Sequence, residues 1–315
     1  MPAKPPIVSI IVPAYGLAHL VGQTIESILA QTYPHWEAII VDDGAPDDVE
    51  SAVQPYLSDV RFKLLKTDNS GLSTARNRAI AVASGTLIAL LDGDDLYEPR
   101  YLELMTQAIL ADPGLGFVTC DATYFGASRV GERFSAHVPQ VDPISLERVL
   151  RRDFNVFIAS LIRREALVEA GGFDTALQSA EDFDLWIKII ERGWRAAYVN
   201  APLSRYRRRA DSMSANTARL LSAVINVYAN AEIRLAGRPE AAVAREMRTS
   251  VERELAVIEG EALVLRGEAR AGLKRLREGE PWRRSLKWYV AMPLLAVPGV
   301  ARPLLAARVR FNRQF

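Results

Sequence analysis

One cysteine, Cys120, and three histidines are all that 315 residues offer for thiol or soft-metal chemistry. A single thiol excludes an intrachain disulfide and fits a reducing, cytoplasmic setting. His19, His35 and His137 pair with neither the cysteine nor a carboxylate at metal-ligand spacing, so they read as surface residues. Net charge is scarce as well. The 39 basic and 38 acidic residues leave +1, which argues against nucleic acid as a partner. Long apolar runs are few. IVSIIVP near the N-terminus is short, β-branched and ends at a proline, unlike a signal peptide. No internal repeat stands out. The remaining balance, 49% hydrophobic and 24% charged, is that of a globular chain with enough to bury one large core or two smaller ones.

The first hundred residues alternate in type. Short apolar runs at 7–15, 36–44, 60–67 and 86–92 predict buried strands, and the spacing of Leu20, Val21, Ile25, Ile28 and Leu29 predicts a helix over 20–31. Residues 71–84 predict another helix, with Ser70 or Ser73 as its cap. Strand and helix in repeated alternation predict an α/β fold, a mostly parallel sheet flanked by helices. Further on, LGFVTCDATYFG predicts a strand that buries Cys120, residues 180–193 a helix, and WRAAYVNAPLSRYR a closing strand pair.

In such sheets ligands bind beyond the carboxyl ends of the strands. The chemically capable residues fall there. Tyr15 follows the first strand, Asp42 and Asp43 the second, and Asp92, Asp94 and Asp95 the fourth. Two carboxylates two residues apart, Asp92 and Asp94, suit a hard cation such as Mg²⁺ or Mn²⁺ that also holds a diphosphate. Alternatively they belong to a solvated loop that caps the next helix. Tyr15 offers a flat face for a base, Asp43 an acceptor for its N–H, and Arg76 a planar fork for base or phosphate. Each of the three also has an ordinary structural reading as turn, cap or surface residue.

Taken together, VSIIVPAYG, ILAQTYPHWEAIIVDDG, NSGLSTARNRAI, GTLIALLDGDDLYEP and GGFDTALQSAEDFDLWIKI, in that order, resemble the family 2 glycosyltransferases with the A-type nucleotide-sugar fold. The resemblance spans about residues 6–215. It implies inverting transfer of a sugar from a nucleotide-diphosphate donor, most often a uridine one, with a divalent metal. It also implies base contacts from Pro13, Tyr15, Asp43 and Arg76, Asp92 near the ribose, Asp94 on the metal, and Asp182 as general base. Glu181 competes with Asp182 for that last role. In the Tyr-Arg-x-His-x-x-Ser-x-Ser pattern of non-processive members, this chain reads YRRRADSMS, so Arg209 replaces the histidine. An arginine cannot ligate a metal but can pair with a diphosphate. The Q-x-x-R-W motif of processive synthases is missing, which implies addition of a single sugar.

These readings divide the chain into a catalytic domain over 1–215, a helical appendage over 216–280 and a tail over 281–315. The tail carries seven basic residues and no acid, with 14 uncharged residues between Lys287 and Arg302. That is short of the roughly 20 residues a membrane-spanning helix needs. It suits either an interfacial segment on an anionic leaflet, which makes the enzyme peripheral on the inner membrane face, or an arm docked on this chain or on a second subunit of a homodimer. The expected acceptor is a glycan or a lipid-linked sugar. The rival functions are a sugar nucleotidyltransferase, whose Gly-rich triphosphate signature VPAYGLAHLVG lacks, and an inactive nucleotide-sugar-binding scaffold.

Overall fold

The computed structural model describes residues 8–209 and 217–279. Its elements run in the order β1 (Val8–Pro13), α1 (Val21–Leu29), β2 (Trp36–Asp42), α2 (Val49–Val53), β3 (Phe62–Lys66), α3 (Leu72–Val82) and β4 (Leu87–Leu90). There follow β5 (Leu96–Tyr97), α4 (Tyr101–Leu110), β6 (Leu115–Gly126), α5 (Leu146–Arg151), β7 (Leu161–Arg163), α6 (Arg164–Glu169), α7 (Glu181–Glu191) and β8 (Arg195–Arg208). The last three are the helices α8 (Thr217–Arg234), α9 (Glu240–Leu265) and α10 (Ala269–Gly279). The tail 281–315 and its membrane or docking-arm reading lie outside the described residues.

One mixed sheet orders the strands β3-β2-β1-β4-β7-β6-β8-β5. The expected parallel sheet is present in β1–β4, and β6 runs parallel to β8; β7 and β5 are antiparallel to their neighbours. β1 is buried on both faces, with Ser9 its one polar side chain, donating to Glu37 Oε1 at 2.6 Å. Val8, Ile10 and Val12 join a core with α1 and α4, while Ile11 joins a second core with α3, α6 and α7.

Two local expectations change. The predicted closing strand pair is one strand, β8, which follows β6 with register shifts at Asp121. Pro202 sits at that irregularity, opposite Asp121; lacking an N–H, it cannot donate to a ladder, and a bulge absorbs it. Neither Ser70 nor Ser73 caps α3. Gly71 holds the N-cap position without a side-chain bond, and Ser73 Oγ donates to the Leu177 carbonyl at 3.4 Å.

The appendage shares a core with the sheet domain through α7. Ile187 of α7 packs among Leu221, Val224, Tyr228, Val251 and Leu255 of α8 and α9. Beside that contact Asp184 is fully buried, with Arg234 of α8 at 3.1 Å and Lys188 at 3.0 Å. Arg234→Ala removes half of the compensation for a buried charge. It should lower the unfolding free energy by about 1–3 kcal/mol, read from the urea midpoint; an unmoved midpoint would show that the appendage does not brace α7.

Candidate active site

The carboxyl ends of β1, β2 and β4 and the start of α7 form the candidate site. Pro13 closes β1, is buried, and accepts the Gly93 N–H on its carbonyl at 3.1 Å. A Cβ at Gly93 would lie 2.6 Å from that oxygen, so only glycine lets the LDGDD loop lie against β1. Two residues on, Tyr15 is half exposed and leaves a ring face open beside the strand ends.

Asp43 is buried at the end of β2, and donors within the chain surround it. Thr67 Oγ1 donates at 2.7 Å, Ser70 Oγ at 3.1 Å, and the N–H groups of Ser70 and Gly71 at 3.0 Å each. The carboxylate therefore ties β2 to the loop before α3, and its lone pairs are already engaged before any base arrives.

Arg76 departs further from expectation. Its place on α3 suggested a fork reaching a nucleotide. Instead the side chain is buried beneath the site, 5.2 Å from the Phe173 ring, with Nη1 donating to Glu181 Oε1 at 2.5 Å and Nη2 to Asp92 Oδ1 at 2.6 Å. Burial disfavours its charge, yet Asp92 and Glu181 outweigh burial and hold the guanidinium protonated above its ordinary range. A planar cation that bridges two carboxylates from different elements fixes both, which a lysine could not do.

The crowded aspartates separate by direction. Asp92 turns to Arg76. Asp94 Oδ2 turns to Arg209 Nη1 at 3.0 Å, just past the end of β8. Asp95 is buried and accepts the Arg207 N–H at 2.7 Å, while Arg207 Nε donates to the Asp94 carbonyl at 2.7 Å. Their mutual repulsion is thus partly relieved within the protein. Burial and the charge of Asp92 still push the Asp94 carboxyl up, against the pull of Arg209.

Ala180 is the N-cap of α7, and its φ of 57° lies in the left-handed region. That conformation is unfavourable for alanine, and it turns the chain so that Glu181 and Asp182 open the helix. Glu181 is buried on Arg76. Asp182 Oδ1 accepts the Phe183 N–H at 2.8 Å. Burial first, then the charge of Glu181, push the Asp182 carboxyl up to about 6, with Arg76 opposing. Asp92 adds its charge to both Asp182 and Asp94. The donor-loop carboxylates and the α7 carboxylates therefore share one electrostatic neighbourhood.

Sequence reasoning missed Asp95 and Arg207 as the link between the LDGDD loop and β8. It also missed Asp121, fully buried with Arg133 Nε at 2.6 Å. The doubled Asp94–Asp95 and the run Arg205, Arg207, Arg208, Arg209 were the available signals. Among the described residues no three His, Cys, Asp or Glu side chains converge as a metal cluster. No described helix is long and apolar enough to cross a membrane.

A mixed sheet of this order, with carboxylates of the β4 loop and of α7 beyond its strand ends, is the A-type fold shared with the solved structures named below. The family profile described as glycosyl transferase family 2 matches residues 9–170, and the chain belongs to that family. Among curated proteins it is similar to the UDP-Glc:α-D-GlcNAc-diphosphoundecaprenol β-1,3-glucosyltransferase WfgD of Escherichia coli. The two are 30% identical over 212 residues, which cover 67% of this chain and 80% of that protein. Among solved structures, TarS 1–349 of S. aureus superposes with a TM-score of 0.64 at 18% identity, covering 91% of this chain and 85% of that one. The mannosyltransferase PcManGT of Pyrobaculum calidifontis, solved with GDP-Man and Mn²⁺, gives 0.61 at 22% identity, covering 97% and 87%.

Replacing Arg76 with alanine leaves Asp92 and Glu181 without their shared cation. Breaking a buried pair in this way should cost about 3–5 kcal/mol of unfolding free energy, measured by urea denaturation. A loss below about 1 kcal/mol, the range of exposed ion pairs, would mean the bridge is not a buried one.

Proposed function

We propose that this chain is an inverting, non-processive glycosyltransferase that moves one sugar from a nucleotide-diphosphate donor, a UDP-sugar, to a hydroxyl of a glycan or lipid-linked acceptor. The observation that carries this reading is the Arg76 bridge, which joins the donor loop at Asp92 to the base helix at Glu181. The names of WfgD and PcManGT, which specify UDP-Glc and GDP-Man, support a nucleotide-sugar donor.

Inversion requires attack on the anomeric carbon from the face opposite the diphosphate, and one group must take the acceptor proton. Asp182 fills that role. A carboxyl raised to about 6 is ionised at neutral pH yet more basic than a free aspartate, which suits a general base. Glu181 is spent on Arg76, so it positions rather than transfers. Tyr15 offers its ring to the base, Pro13 and Asp43 form the wall behind it, and Asp92 stands by the ribose.

Asp94 fits a hard divalent cation. Its carboxylate is an oxygen donor held high by burial and Asp92, as expected of acids short of positive charge. With no third protein ligand among the described residues, the donor phosphates and water complete the coordination of Mn²⁺ or Mg²⁺. When bound, the ion neutralises charge that develops on the leaving diphosphate. Arg209 supplies a second cation at the same place and exchanges Asp94 for a phosphate oxygen as the donor arrives.

We further assign 1–215 to catalysis and 216–280 to bracing α7. The acid-free tail, 281–315, carries the enzyme to an anionic cytoplasmic leaflet, as a peripheral protein.

Asp182→Asn should keep donor binding but lose about 10²–10⁴-fold in transfer, the usual range for a general base; transfer at the wild-type rate would place the base elsewhere. In a thermal-shift series, UDP with Mn²⁺ should stabilise the wild-type chain more than UDP alone, and Asp94→Asn should abolish the difference. Equal shifts in both proteins would remove Asp94 from the cation.

A further inference from the structure

The LDGDD loop is held by side chains that reach it from outside. Thr24 Oγ1, buried on α1, lies 2.9 Å from the Gly93 carbonyl and 2.9 Å from the Asp95 carbonyl. Between those two, the Asp94 carbonyl accepts Arg207 Nε at 2.7 Å. The carbonyl oxygens of residues 93, 94 and 95 are thus all engaged by groups of α1 and β8. The Arg207 main chain adds a further tie, its N–H donating to Asp95 Oδ1 at 2.7 Å. Asp94 and Asp95 are both bound to one residue of β8, which fixes the peptide between them.

The Arg207 guanidinium is itself fixed. Its Nη2 donates to Gln23 Oε1 at 2.8 Å, and its Cζ lies 4.2 Å from the Phe125 ring centroid. One planar fork therefore joins α1, the acidic loop and β6. A lysine would keep the positive charge beside Asp94 but has neither the rigid fork nor the flat face. Arg207 bonds the Asp94 carbonyl and leaves the carboxylate to face Arg209 at 3.0 Å.

This has a consequence for a cation. Hard divalent ions take oxygen from carboxylates and from backbone carbonyls alike. With its carbonyls engaged, the loop offers its carboxylates and not its main chain. Groups that orient a ligand without being one set how well that ligand binds.

We propose that Arg207 is a positioning residue for the divalent cation: it clamps the Asp94 backbone so that the carboxylate is presented in one direction, and Thr24 clamps the carbonyls on either side. This rests on the assignment of Asp94 to the cation above and deepens it, because Arg207 acts through Asp94.

The test is a thermal-shift titration of the full chain with Mn²⁺ at saturating UDP, in the wild type, Arg207→Lys and Thr24→Val. The lysine preserves charge and the valine preserves shape, so each variant isolates the lost hydrogen bonds. The Mn²⁺ concentration that gives half of the added shift should rise about 10–100-fold in Arg207→Lys, the range for removing a group that orients a metal ligand. It should rise in Thr24→Val as well. The shift produced by UDP without metal should stay at the wild-type value in Arg207→Lys. A merely structural role gives another pattern, a lower melting temperature in both variants with the half-saturating Mn²⁺ concentration unchanged. An unchanged Mn²⁺ requirement in the variants, with or without that loss of stability, overturns the proposal and leaves Asp94 on the cation. A wild-type chain that melts identically in UDP with and without Mn²⁺ instead removes the cation reading of Asp94, and this proposal with it.

Discussion

A single buried guanidinium holds the site together. Arg76 takes Asp92 on one side and Glu181 on the other, and with them the β4 loop and the first turn of α7. Without a cation between them, four carboxylates, Asp92, Asp94, Glu181 and Asp182, would crowd one partly buried region. Desolvation and repulsion would then drive protons onto them or push the elements apart. With it, the four take different states. Glu181 is paired, Asp92 is paired and partly open to solvent, Asp94 leans on Arg209, and Asp182, without an ion-pair partner among the described residues, has a raised affinity for a proton. A division of labour between acids is therefore set by environment rather than by residue type.

The rest of the fold serves that arrangement. Gly93 lets the acidic loop lie on β1, and Asp95 pins it to β8 through the Arg207 backbone. On the other side, the buried Asp184–Arg234 contact fastens α7 to α8, so the helical appendage supports the helix that carries Asp182. Arg207 and Arg209, at the end of β8, hold the same acidic loop from the other side.

Much of this was legible in the chain. Buried strands declared themselves by short β-branched runs, and the polar residues that ended them marked the ligand side of the sheet. Asp92, Asp94 and Asp182, all expected beyond strand ends or at a helix start, do share one electrostatic neighbourhood. What could not be read were partnerships over distance. Arg76 and Glu181 are 105 residues apart, and nothing local distinguishes an arginine bound to a buried acid from one reaching a ligand. Asp43 likewise looked like a free carboxylate until Thr67, Ser70 and Gly71 closed around it. The antiparallel β5 and β7 escaped notice because they are two and three residues long, too short to show a period.

The central claim, that Asp182 works as a base tuned by the acids and cation around it, is tested most directly by the pH dependence of nucleotide diphosphate release during transfer. The base must be deprotonated to act, so the rate should rise with pH through a midpoint near 6 and then level. In Glu181→Gln the negative charge that raises Asp182 is gone, and the midpoint should move to lower pH. A flat profile between pH 5 and 7, or a midpoint indifferent to Glu181, would contradict the account.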